Sequence, residues 1–241
     1  MIDKATRLKV QKIVEEFWSK KAEVDGDFKR LLSGTGEVGH SIAAFVQADT
    51  IEELSEKGVE IGIQTNKASG KPLKRSFGDF WIRSNGIYNP VNIKAGEFDK
   101  NGQPNLVSLS RLLSFLLHEQ VDCYYVLIIK ISQVSVKDKM RFIPHVYFVD
   151  MLDYLDYVSY NAGPGQLMIK EKEFYKALES GKTTKHLSVD ERVLKLASIF
   201  QEGLDRLILD RRKKMTKKLG QASGFKSSGL DQSKLHFHVN P

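Results

Sequence analysis

A chain of 241 residues with 41% apolar side chains is long enough to bury a core, and no apolar run approaches the ~20 residues that a membrane span needs. The formal charge is +7, and the thirteen Lys/Arg against six Asp/Glu beyond residue 181 hold all of that excess, which favours a polyanionic partner. One cysteine and six histidines at no metal-ligand spacing argue against a disulfide scaffold and a zinc site, so a soluble, cytoplasmic protein without membrane contact is expected.

The opening MIDK begins a charged helix rather than a signal peptide. Residues 3–20 carry Leu8, Val10, Ile13, Val14, Phe17 and Trp18 at the spacing of one helical face. Asp25-Gly26-Asp27 reads as a turn, and residues 33–39, SGTGEVG, as a glycine-rich loop that lacks the Gly-Lys-Ser/Thr of a nucleotide loop. It opens a short helix over 40–48. A second brief helix is predicted over 50–57, where Thr50 and Glu53 have capping spacing and Gly58 ends the run. Residues 59–65 alternate as a strand. The loop 66–75 carries Lys67, Lys71, Lys74 and Arg75, which are either solvated or in reach of phosphates.

Residues 77–97, FGDFWIRSNGIYNPVNIKAGE, read as a β-hairpin: an aromatic strand over 77–82, turn chemistry at Ser84-Asn85-Gly86, and a return strand over 87–93 weakened at its start by Pro90. After a loop at 99–104, residues 106–118 read as a helix apolar at Leu109, Leu112, Leu113, Leu116 and Leu117. Strands follow over 121–136 and 142–149, with Cys123 as a buried core thiol. This β-β-α-β-β order predicts an α/β fold with a mixed central sheet flanked by helices. Residues 188–219 give the longest helical pattern, with Val193, Leu194, Leu196, Ala197, Phe200, Leu204, Leu207 and Ile208 as its apolar face. Arg211, Arg212, Lys213, Lys214, Lys217 and Lys218 crowd its last turns, more cations than the helix dipole calls for, and suit phosphate contact. Residues 221–233 read as a linker and 235–239 as a terminal strand. The expected organisation is a core over 1–180, with a basic helix and tail over 181–241 belonging to the same domain.

Chemistry is expected on the hairpin. Asp79 on its first strand and Lys94 at the end of its second have fourteen residues between them, and folding brings them near one another. Such a pair can hold a hard cation and polarise a water, because Mg²⁺ is satisfied by one or two carboxylates together with water and phosphate. The same spacing also describes a surface ion pair, which contributes little. Downstream, residues 161–165, NAGPG, form a tight loop of small residues, Asn161, Ala162, Gly163 and Gly165 among them. Asn161 and Gln166 flank it with amides able to donate and accept toward adenine in the major groove; an ordinary Gly-Pro turn is the alternative.

Asp79, followed by Val91-Asn92-Ile93-Lys94-Ala95, resembles the core of the PD-(D/E)xK nucleases. The likeness extends through Pro104-Asn105, Ser108-Leu109-Ser110-Arg111, the apolar strand over 124–131, Ser159-Tyr160-Asn161 with Gly163, Gly165-Gln166 and a strand over 167–170. Over about residues 75–175 it is similar to HpaI-like type II restriction endonucleases, and around Lys94 also to SwaI-like ones. The resemblance implies a restriction-endonuclease-like core and a Mg²⁺-dependent, site-specific enzyme that cuts double-stranded DNA as a homodimer on a short palindrome. Asp79, Asn92 and Lys94 would be its catalytic residues, with Asp79, Asn92 and Glu97 toward the metal. Asn161, Gln166 and the loop between them would read bases, and Arg211, Arg212, Lys213 and Lys214 would hold the backbone. Asn92 stands where the family has an acid. Ser41 stands where a helix acid often lies, so Glu97 or Glu37 would have to supply the missing carboxylate. Two other accounts remain. In one, the fold binds DNA without cutting, and Asn92→Asp restores cutting; in the other, the chain is a basic RNA-binding or scaffold module.

Overall fold

Alternation along two strands decides which half of the protein covers which side of the central sheet. The computed structural model describes residues 1–24, 38–65, 69, 77–96, 105–118, 122–136, 139–184 and 187–223. Five strands form a mixed sheet in the order β1 (Ile61–Gly62), β2 (Phe80–Ser84), β3 (Ile87–Gly96), β5 (Tyr125–Val136) and β6 (Lys139–Asp150). All neighbours are antiparallel except β3 and β5, which run parallel. A parallel pair needs a crossover. The chain between them supplies β4 (Asn105–Ser108) and α3 (Leu109–His118).

On one face Val91, Ile93, Tyr125, Leu127 and Ile129 pack against Val10, Val14 and Trp18 of α1 (Lys4–Val24) and Val46 and Leu54 of α2 (Val38–Glu56). The other face presents Tyr124, Val126 and Ile128 to Leu109, Leu112, Phe115 and Leu116 of α3. The same layer holds a second sheet, ordered β4, β8 (Gln166–Ile169), β7 (Val158–Asn161), together with α4 (Glu171–Ser180) and the start of α5 (Val189–Ser223). Central β5 is buried on both sides, so it reads as a continuous apolar run rather than an alternating one. Each of its fully buried Leu and Ile side chains contributes about 1.5–3 kcal/mol.

Several expectations are corrected. The two helices expected over 40–48 and 50–57 are one helix, α2, of 19 residues. Thr50 is no cap: it is buried, and its Oγ1 accepts from Trp18 Nε1 at 3.0 Å, tying α2 to α1. Residues 106–108 are strand, because β4 pairs with β8, and the helix starts only at Leu109, with Ser108 Oγ accepting from Arg111 N at 3.3 Å. The strand expected over 59–65 is two residues long. Leu8, Leu117 and Leu194, assigned to apolar faces, are exposed. The strand expected over 167–170 is β8, whereas its pairing with β4 and β7 in a second sheet, and α4, have no counterpart among the elements expected from the sequence. Cys123 is buried as expected, and burial pushes its thiol up to about 12. Among the described residues no helix is long and apolar enough to cross a membrane. The turn at 25–27, most of the loops at 33–39 and 66–75, the loop at 99–104 and the terminal segment 235–239 lie outside the described residues.

Candidate functional site

The β2–β3 hairpin closes through Asn85 and Gly86, both at positive φ (52° and 78°), the geometry that a two-residue turn between twisted strands requires. Its register runs from Ser84 opposite Ile87 to Phe80 opposite Val91. Pro90 is accommodated because Val91 and Ile93 turn their backbone groups toward the β2 side, leaving residue 90 to face the side where β5 has not yet begun.

Beyond Phe80 the ladder changes character. Asp79 N donates to Val91 O at 2.8 Å as a strand residue would. The next backbone donor, Ile93 N, goes instead to Asp79 Oδ2 at 2.7 Å, and the Phe77 carbonyl accepts from Asn92 Nδ2 at 3.1 Å. Side chains thus replace two backbone partners, and Asp79 is laid across β3. Gly78 permits this approach: a Cβ there would stand 2.7 Å from Phe80 O and 2.9 Å from Val91 N. Gly78→Ala is therefore expected to lower stability by ~1–3 kcal/mol, as overpacking does, and to displace Asp79; a denaturant melt no weaker than wild type would contradict this. Phe77 anchors the segment by stacking on Phe115 of α3, with ring centroids 3.9 Å apart.

Phe80, Ile82, Val91 and Ile93 all face α1 and α2, so Asp79, Asn92 and Lys94 share the opposite face, the last two beside Val126 and Ile128. Lys94 is half-buried, and burial pushes its ammonium below the usual lysine range while the charge of Asp79 pulls it back up. Asp79 also acts on Tyr124, whose phenol is raised chiefly by burial and then by that carboxylate, with Arg111 pulling the other way. The Tyr124 hydroxyl is buried without a hydrogen-bond partner. Lys94 and Tyr124 are therefore both within electrostatic reach of Asp79. Neither Tyr124 nor Arg111 stands out as a site residue in the sequence. Arg111 sits three residues after the cap Ser108, a position that a correct helix start would have pointed to the sheet.

The remaining predicted site residues are dispersed. Ser41 lies in α2, which packs through Val46 and Leu54 on the face opposite Asp79. Glu37 and Glu97 lie outside the described residues. Loop 162–165 closes the β7–β8 hairpin: Asn161 Oδ1 accepts from Gly163 N at 3.2 Å, Gly165 N donates to Asn161 O at 3.0 Å, and Gly165 has φ of 70°. Gly165 O accepts from Leu109 N at 3.2 Å, fastening the loop to the start of α3. Asn161 is exposed, whereas Gln166 is half-buried with Oε1 turned into the protein and unbonded.

In α5, Arg192 joins the Asp122 carbonyl and Asp153, Gly203 lies against Tyr160, and Leu196 and Ile199 enter the core. Further along the helix leaves the body. Ile208 is 49%, Met215 59% and Leu219 63% exposed, and Arg211, Arg212, Lys213, Lys214, Lys217 and Lys218 are all exposed.

For a metal, the described residues offer one carboxylate, Asp79, with the Asn92 amide on the same face. Among them no group of three or more His, Cys, Asp or Glu stands close enough to hold an ion. That donor set fits Mg²⁺, which needs only one or two protein carboxylates when phosphate and water complete its shell, and does not fit zinc. The sequence matches no protein-family model and no curated protein.

Proposed function

We propose that this chain is a Mg²⁺-dependent site-specific endonuclease with a restriction-endonuclease-like core, hydrolysing double-stranded DNA as a homodimer on a short palindromic sequence. The observation that carries this reading is the convergence of Asp79 and Lys94 on one face, with Asp79 close enough for its charge to act on the Lys94 ammonium. Asp79 and Asn92 would hold the ion, with Glu97 as a further carboxylate. When bound, the ion would polarise the scissile phosphate and lower the pKa of a coordinated water. Lys94 Nζ, as an ammonium on the same face as Asp79, would donate a hydrogen bond to attacking water and face the charge that develops on phosphorus oxygens. The exposed Asn161 would offer its Nδ2 to base edges, its Oδ1 already accepting from Gly163 N, while Gln166 would reach them only by turning Oε1 outward. The projecting turns of α5 would lie along the phosphate backbone.

Incubating plasmid and phage DNA with the protein, with and without Mg²⁺, tests the reading. Discrete Mg²⁺-dependent fragments are expected; no fragments on any substrate would count against it. That the described residues bring no second carboxylate beside Asp79 into a metal-holding group favours a second reading, a nuclease fold that binds DNA without cutting. Retention of duplex DNA by a protein that never cuts it would support that account instead.

Replacing Arg211, Arg212, Lys213 and Lys214 together by Gln should leave the fold intact, since all four are exposed. Binding should weaken similarly on every sequence, and the slope of log affinity against log salt should flatten by about 0.9 for each phosphate that is no longer neutralised. An unchanged slope in a salt titration would remove this helix from the DNA interface.

A further inference from the structure

We infer that Asn92 is a positioning residue for Asp79, acting as the donor half of a clasp that a carboxylate at the same position could not form. Two bonds run from the segment 92–93 to the segment 77–79, one from side chain to backbone and the other from backbone to side chain. Asn92 Nδ2 donates to the Phe77 carbonyl at 3.1 Å, and Ile93 N donates to Asp79 Oδ2 at 2.7 Å. Continued from the Asp79 N–Val91 O bond, which is one residue out of the Phe80–Val91 register, an antiparallel ladder would have set Ile93 N against the Phe77 carbonyl. Here the Asp79 side chain takes that donor, and the freed carbonyl is satisfied by Asn92, only 8% exposed. Each substitution makes the other necessary. Without the Asn92 donor the Phe77 carbonyl loses its bond, and the bend through Gly78 that delivers Asp79 is no longer held from below.

An ionised carboxyl has acceptors only. At position 92 it would set one acceptor against the Phe77 carbonyl and a second negative charge on the face that carries Asp79. The amide therefore replaces the acid of the nuclease pattern for a local reason, the need for a donor, and leaves Asn92 Oδ1 as the end of the group not committed to Phe77. The clasp stands on this geometry alone. Its consequence for cleavage rests on the nuclease reading.

The test compares wild type, Asn92→Asp and Asn92→Ala. Asn92→Asp and Asn92→Ala should each melt below wild type at pH 7, by roughly 2–10 °C. In both, the Ile93 amide, whose bond to Asp79 Oδ2 the clasp holds, should exchange with solvent faster than in wild type, while the amides of the β7–β8 hairpin stay as protected as before. If Asn92→Asp does not fold, the exchange of Ile93 in Asn92→Ala decides. Where wild type cuts DNA, both variants should lose kcat with KM nearly unchanged. Variants that match wild type in stability and in Ile93 protection overturn the clasp whatever is cut. Failure of wild type to cut any DNA overturns the nuclease reading and leaves the melting comparison to decide the clasp.

Discussion

Asp79→Asn is expected to suppress cleavage while leaving stability unchanged, whereas Asp79→Ala suppresses cleavage and also lowers stability. The distinction follows from what the two oxygens do. Asp79 Oδ2 accepts from Ile93 N at 2.7 Å, and an asparagine carbonyl can accept that bond in the same place. Alanine leaves the Ile93 donor unbonded in a part-buried position, which lowers stability by ~1–3 kcal/mol. Neither variant retains the negative charge that would hold Mg²⁺, so both should cut more slowly by about 10²–10³ or more, the range for removal of one preorganised charge or donor. Rates of fragment appearance and denaturant melts of the three proteins check this. An Asp79→Asn protein that cuts within about tenfold of wild type would show that its carboxylate serves the clasp alone.

Lys94→Met separates catalysis from stability in the opposite direction. Burial lowers the Lys94 pKa in the folded protein, with Asp79 recovering only part of the shift. The unfolded chain, where lysine titrates near ~10.4, therefore binds that proton more tightly than the folded one. Below the folded pKa the cost of burying the charge is present in full, and as pH rises from that value toward ~10.4 it is relieved, so the Lys94 contribution to stability improves with pH across this window. Methionine fills similar space without a charge. Lys94→Met should thus be at least as stable as wild type at pH 7, with the difference closing as pH rises, and should cut more slowly by about 10²–10³. A variant that cuts normally, or one destabilised at pH 7 with no change toward alkaline pH, contradicts this role. Arginine is not expected to substitute, since its planar, bulkier guanidinium does not fit the half-buried space that the lysine fills.

These effects are legible in the sequence to different depths. The hairpin is readable because Asn85-Gly86 specifies its turn, and strand alternation then puts Asp79, Asn92 and Lys94 on one face. Strand β5 is readable from its length and unbroken apolar character. The division of α2 into two helices fails because Thr50 looks like a cap in one dimension and is a buried partner of Trp18 in three. The start of α3 is misplaced because Leu106 and Val107 fit a helical stripe as well as a strand. Their partner, β8, lies about sixty residues downstream, and although it reads as a strand no local signal announces the pairing. The clasp is illegible for a related reason. The sequence has an amide where an acid is expected, which reads as a deficiency until the Phe77 carbonyl is found opposite it. The basic end of α5 is recognisable by composition. That it stands clear of the body depends on where the packing residues Leu196, Ile199 and Gly203 stop.

The most direct measurement is the position of the DNA backbone and a divalent ion, determined by crystallography of the wild-type protein bound to a duplex in Ca²⁺, a hard cation that takes the same oxygen donors as Mg²⁺. The proposal predicts an ion at roughly 2.3–2.6 Å from an Asp79 oxygen and a phosphate oxygen within hydrogen-bond reach of Lys94 Nζ. Duplex lying against the α1 and α2 face, or an ion and phosphate bound away from Asp79 and Lys94, would contradict it.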